Sequence, residues 1–273
     1  MAGPAKRFGI ALLGLGRMGE IHARTLLMSP RARLRWIVRH QVEEARRFAE
    51  TFDSPIQCVA PAHLDTVLQD DSVDAVVVCS PTSQHETVIK AALDAGKAVF
   101  SEKPITPDVN STRACYELAE AKGLPLLCAF HRRFDPSLMA VKSSLVNNES
   151  GYLRLLRCSS HDHSPPPMDY VKNSGGIIKD STIHDLDMAL WMSNSPATKV
   201  FVQGCAFNPD IRCFTTRYPE AYSNEIEHFL DVLEGSITLK ITKNDTLSVM
   251  QLAEAASTSA KTGQVVQLKE ELK

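Results

Sequence analysis

The chain has 273 residues, enough for one large domain or two ordinary ones, each with a buried core. Apolar residues make up 44% and charged residues 23%, the ordinary soluble range, and a net charge of −2 provides no field to hold nucleic acid or an anionic membrane. No apolar run approaches the ~20 residues that span a bilayer, and Ile10–Leu15 is too short and too broken by glycine for a signal-peptide core.

The first 128 residues alternate strand and helix patterns. Arg7–Leu13 is an apolar strand ending in glycine, Met18–Met28 has helical spacing, and Leu34–Val38 is a short strand. A basic run, Arg31, Arg33, Arg35 and Arg39, reads as a solvated face. Val42–Phe52 sets Glu43, Glu44, Arg46 and Arg47 opposite Ala45, Phe48 and Ala49, a helical division. Ala75–Cys79 is a continuous β-branched run, as in a strand buried on both faces of a parallel sheet. A helix over Glu86–Leu93 ends at Gly96, Ala98–Phe100 is a strand, Ser111–Ala121 a helix and Leu124–Cys128 a strand. Strands interleaved with helices predict βαβ units and a doubly wound parallel sheet over 1–128.

After Phe130 the periodicity changes, which predicts an α+β domain over 129–273. A helix at Pro136–Asn147 leads to a strand pattern at 152–160, prolines at 165–167, the pair Gly175-Gly176, a helix over 181–192 and a strand over 199–207. Helices at about 220–234 and 246–259 and a short strand at 265–268 complete the chain. Seven scattered cysteines, odd in number and without a Cys-x-x-Cys, suggest a reducing, cytoplasmic compartment.

Gly14-Leu15-Gly16-Arg17-Met18-Gly19 follows the first strand and opens a helix. One glycine makes the tight turn, the second admits the pyrophosphate to the backbone, and the third lets helix pack on strand. The helix start then offers free N–H groups to phosphates. Arg17 and Met18 belong to this cofactor-binding loop. About 20 residues on, where an acidic residue would hold the adenosine ribose, the chain has Arg39 and no Asp or Glu until Glu43. An arginine there suits a 2′-phosphate, so the lean is to NADP over NAD.

Two further segments carry chemistry: Glu102-Lys103-Pro104, and the run from Gly175-Gly176 through Asp180 and His184 to Asp187. With the glycine fingerprint and Cys79-Ser80-Pro81-Thr82-Ser83-Gln84-His85, they resemble the glucose–fructose oxidoreductase/inositol dehydrogenase family, and within it the inositol 2-dehydrogenases. The resemblance covers about 7–207 and 217–268. It implies an NAD(P)-dependent oxidoreductase acting on a polyol, sugar or related cyclic alcohol, with an open, mostly antiparallel sheet in the second domain. Hydride loss from an alcohol needs a base for the hydroxyl proton, and Lys103 matches the family's catalytic lysine, with a cis Lys103–Pro104 bond implied. Asp180 and His184 match its Asp-x-x-x-His pair; four apart, they share a helix face, and Asp180 also suits a cap. Ser80, Thr82, His85 and Glu102 are implied at the cofactor, and Arg132, His161 and Asp187 at the substrate. His161, His163 and His184 are too weak a pattern for a metal site, so none is expected.

The family's sheet needs more strands than this chain offers, and residues 208–222, with two prolines and mixed polarity, read as a connection where several tens of residues are expected. The second domain is therefore incomplete there. This leaves a second reading, a non-catalytic dinucleotide-binding or regulatory form, and it argues against a stable homo-oligomer.

Overall fold

A computed structural model describes residues 7–52, 54–160, 174–204 and 218–268. The chain forms two compact units.

The first unit is built on six parallel strands: β1 (Phe8–Leu13), β2 (Ala32–Val38), β3 (Gln57–Val59), β4 (Ala75–Val78), β5 (Ala98–Ser101) and β6 (Leu126–Cys128), in the spatial order β3-β2-β1-β4-β5-β6. Every residue of β1, β4, β5 and β6 is buried. The continuous Ile, Val and Leu runs thus satisfy a sheet covered on both faces. Helices α1 (Arg17–Met28), α2 (Val42–Glu50), α3 (Leu64–Leu68), α4 (Thr82–Asp94) and α5 (Val109–Lys122) connect the strands. In this order the chain switches direction between β1 and β4, and ligands of such sheets bind beyond the carboxyl ends of the strands at that point.

The first unit is not contiguous in sequence. It takes in Tyr222–Lys240 as well as the residues up to 129, while Pro107–Val109 falls in the second unit. Ile226, Phe229 and Leu230 join Ile10, Leu12, Leu34, Val77 and Phe100 in one apolar core. A late helix (Pro219–Glu234) therefore supplies core to a domain expected to end at 128. Arg31 fastens it, with Nη1 at 2.6 Å from Asp231 and Nη2 at 2.8 Å from Glu234; Arg31 is a staple rather than part of a solvated face.

In the second unit, α6 (Pro136–Val146) is capped by Asp135, whose carboxylate accepts from Leu138 N–H. A π-helical turn at Ile178–Thr182 leads into α7 (Ile183–Ser193). The Pro219–Glu234 helix is α8, and α9 (Lys243–Thr262) starts in a reciprocal Thr242–Asp245 capping box. Helix α9 packs on α7.

Among the described residues the expected sheet is represented by two antiparallel strands, β7 (Lys199–Val200) and β8 (Val266–Gln267). Residues 151–160 form no regular element and are exposed, so the strand expected at 152–160 is corrected. An apolar-rich run is not enough for a strand, which also needs a partner for its backbone groups. The strand expected over 199–207 is confined to its first two residues as far as residue 204; 205–207, like His161, lie outside the described residues. Among the described residues no helix is long and apolar enough to cross a membrane, and no cluster of His, Cys, Asp or Glu is set to hold a metal.

Candidate active site

The fingerprint glycines differ in what they require. Gly14 has φ +94°, and a Cβ there would stand 2.5 Å from the carbonyl oxygen of Cys79. At Gly19 a Cβ would meet Gly14 O at 2.1 Å. Both are needed for the chain to fold as it does. A Cβ at Gly16 would meet nothing within 4 Å. No internal contact demands glycine at Gly16, which caps α1 without a side-chain acceptor. That is the geometry of a loop left open to a ligand's phosphates. Arg17 is exposed and Met18 half-buried in the first turn of α1.

Across the switch point, Ser80 and Thr82 follow β4. Ser80 Oγ is buried and has no hydrogen-bond partner among the described residues. An orphaned hydroxyl beside an open glycine loop fits a bound dinucleotide.

Arg39, at the end of β2, donates to Leu15 O in the glycine loop and to the Glu44 carboxylate. His85 is 1% exposed. Its Nδ1 lies 2.9 Å from Pro104 O and its Nε2 2.8 Å from Ser80 O. Burial pushes its pKa below the usual imidazole value, while the two carbonyls pull it back. His85 thus joins the loop after β4 to the turn after β5.

Lys103 stands two residues past β5, on the same carboxyl edge as the glycine loop, half-buried, and the Lys103–Pro104 bond is cis. Glu102 is buried beneath it. Glu102 Oε1 lies 2.8 Å from His22 Nε2, and Oε2 accepts from the Lys103 N–H at 3.2 Å. His22, fully buried on α1, was not singled out in the sequence, yet Gly19, His22, Ala23 and Leu26 mark the buried helix face at i, i+3, i+4 and i+7. Nearby, burial, Glu102 and Glu225 push the Cys79 thiol well above its usual value, which removes it as a nucleophile.

In the second unit, Asp180 is half-buried within the π-turn and its N–H donates to Gly176 O. It does not cap α7, whose N-cap is Thr182; that expectation is corrected. His184 lies one residue into α7, its ring edge-on to His131 (4.8 Å) and Phe130 (6.4 Å). Two arginines grip the acids on the same turn. Arg132 bonds Asp185 and Ser160. Arg133, 4% exposed by side chain, holds Asp187 through Nη2 at 2.7 Å and Nε at 3.0 Å, and reaches Asp245 at 3.2 Å. Burial raises the Asp187 carboxyl to about 6 against the pull of Arg133.

Comparisons with known proteins place the chain in a family. Residues 8–130 match the model of the GFO/IDH/MocA oxidoreductase family with an NAD-binding Rossmann fold, and residues 138–253 match the GFO/IDH/MocA C-terminal domain. An inositol 2-dehydrogenase of Rhizobium meliloti is 30% identical, the alignment covering 92% of this chain and 95% of that protein. The chain belongs to the GFO/IDH/MocA family. That alignment runs over 327 positions, more than this chain contains, so the relative has stretches with no counterpart here. A myo-inositol 2-dehydrogenase of Thermotoga maritima is 36% identical over 197 residues, and there the chain spans 58% of the family member. The crystal structure of a myo-inositol dehydrogenase from Corynebacterium glutamicum superposes with a TM-score of 0.83 at 28% identity, over 96% of this chain and 99% of the other.

Proposed function

We propose that this chain transfers hydride between a nicotinamide dinucleotide and a secondary alcohol of a polyol or cyclic alcohol of the inositol type. The carrying observation is the shared edge: the open Gly16, the orphaned Ser80 hydroxyl and Lys103 all follow the carboxyl ends of β1, β4 and β5. A bound nicotinamide supplies the hydride acceptor. Lys103 takes the hydroxyl proton in oxidation and returns it in reduction. Asp180 and His184 hold substrate hydroxyls, and Arg132, through Asp185, fixes the turn that carries His184. Glu102, His85 and Asp187, expected at cofactor or substrate, have their polar atoms engaged by protein, and we assign them to holding the site's frame.

For the cofactor the sequence leans to NADP through Arg39. We infer NAD instead, because the Arg39 guanidinium is engaged by Leu15 O and by Glu44, a carboxylate that would repel a 2′-phosphate. Glu44→Gln is expected to raise NADP⁺ affinity relative to NAD⁺; an unchanged ratio returns the choice to Arg39 alone.

The test of the activity is nicotinamide absorbance at 340 nm across a polyol panel, with turnover present in the native chain and lost in Lys103→Ala. Turnover that survives Lys103→Ala removes the assignment. Dinucleotide binding without turnover on any panel member supports the second reading, a non-catalytic form, which the two-stranded remnant of the second sheet and its exposed apolar residues favour.

A further inference from the structure

Residues 102–104 are held from two directions by buried histidines on two different helices. From α1, His22 Nε2 reaches Glu102 Oε1 at 2.8 Å, and the other oxygen of that carboxylate accepts the backbone N–H of Lys103. From α4, His85 Nδ1 faces Pro104 O at 2.9 Å. His22 is fully buried and His85 1% exposed. The His22 Nδ1 has no partner among the described residues. A donor there would be left unsatisfied, which is costly, so the hydrogen bond to Glu102 is placed on Nε2–H. Nε2–H then donates to Glu102, whose carboxylate bridges His22 and the Lys103 backbone. Phe100, 5.0 Å away and edge-on, and Tyr222, 6.0 Å away, fix the plane of the His22 ring.

Burying one imidazole–carboxylate contact costs desolvation that an apolar pair would avoid. The contact ends on the backbone of the residue assigned as acid/base. It starts on the helix whose first turn carries the fingerprint glycines, with His22 three residues past Gly19.

We propose that His22 is a positioning residue for Lys103, acting through the Glu102 carboxylate, with His85 bracing the same turn through Pro104 O, so that the dinucleotide-binding helix and the acid/base side chain are held in one register. This rests on the assignment of Lys103 made above. His22 is fully buried and reaches the site only through Glu102. It fixes where the Lys103 backbone lies, and misplacing a reacting group by about 1 Å can cost on the order of 100-fold in rate.

The test pairs a variant that keeps the donor with one that removes it. His22→Gln places an amide N–H near the position of Nε2; His22→Leu keeps the bulk without a donor. With NAD⁺ and myo-inositol as probes, His22→Leu is expected to lower kcat roughly 10- to 100-fold while the KM for NAD⁺ stays within about twofold, and His22→Gln to recover most of the loss. Crystals of the full chain in wild-type and variant forms give the readout that does not depend on turnover: the Lys103–Pro104 turn displaced in His22→Leu and restored in His22→Gln. If His22→Leu does not fold, His85→Asn, which keeps a donor toward Pro104 O, against His85→Leu carries the same comparison. A Lys103 position and kcat that are unchanged in the Leu variant overturn the proposal, as does equal damage by Gln and Leu. A wild-type chain that binds NAD⁺ but never turns over would remove the proposed activity, and the crystal comparison would still decide the positioning claim.

Discussion

The two units bury their apolar residues very differently. Most of the fully buried Phe, Ile and Leu side chains among the described residues, including Phe8, Phe100, Phe229 and Ile10, belong to the first unit, while Phe130, Phe134, Ile183 and Ile241 belong to the second. Exposed large apolar residues show the reverse bias: Tyr152, Leu155, Ile177, Phe201 and Val265 are all in the second unit and at least half exposed. The first unit closes its sheet with a helix recruited from Tyr222–Lys240; the second, among its described residues, has a two-stranded sheet where its family is expected to carry more. A nucleotide-binding fold can thus be complete in a chain whose second sheet is short.

This contrast can be broken by substitution. The chain has two tryptophans, Trp36 in the first unit and Trp191 in the second, so each unit has its own fluorescent reporter. Phe100→Ala should destabilise the first unit by about 3–5 kcal/mol, whereas Leu155→Ala, at an 84% exposed position, should change stability by less than about 0.5 kcal/mol. Urea unfolding followed through Trp36 checks the first and through Trp191 the second. A comparable loss from Leu155→Ala would mean that the exposed segment is packed in solution.

Arg133→Met strands the Asp187 carboxylate in the interior and should cost the second unit about 3–5 kcal/mol, read at Trp191. The glycines sharpen the first unit's side of the comparison. Gly19→Ala forces a Cβ against Gly14 O and should lower stability by about 1–3 kcal/mol. Gly16→Ala meets no protein atom, so the melt of the free chain should stay within about 0.5 kcal/mol of wild type while the shift produced by dinucleotide falls. A Gly16→Ala chain that binds NAD⁺ as well as wild type would contradict the open-loop interpretation.

The smallest effect concerns pH. Hydrogen bonds from Ser72 and Trp36 hold the Asp70 carboxyl down at about 2, against an ordinary 3.8. A depressed folded-state pKa contributes stability above the unfolded value and loses it as pH falls. Stability read at Trp36 should therefore drop between about pH 4 and pH 2, and Asp70→Asn should flatten that part of the acid limb. An unchanged slope in the variant would place the acid sensitivity elsewhere.

Much of the first unit was legible because βαβ units announce themselves locally, through continuous apolar strands, amphipathic helices and a glycine fingerprint. Membership of residues 222–240 was not, since Ile226, Phe229 and Leu230 show only that a helix has an apolar face, and not which sheet it meets. The apolar-rich run at 152–160 gave a strand pattern but carried no information about a partner strand. Of the candidate residues, Lys103 and the glycines lie where their motifs suggest. The family resemblance implied His85 at the cofactor, although His85, Ile89, Ala92 and Leu93 already form one buried helix face. His22 carries the same signal on α1. In both helices a histidine at an apolar spacing was legible as buried, and only its partner was hidden.

The central claim is that the first unit is a working dinucleotide-binding domain despite the shortened sheet beside it in sequence. Thermal unfolding of the whole chain, alone and with NAD⁺ or NADP⁺ at a hundredfold excess over Kd, tests it most directly. A cooperative transition read at Trp36 that rises with NAD⁺, by about 2.7 kcal/mol in stability, and less with NADP⁺ is the expected result. A transition indifferent to both dinucleotides would contradict the claim and withdraw the oxidoreductase chemistry from this chain.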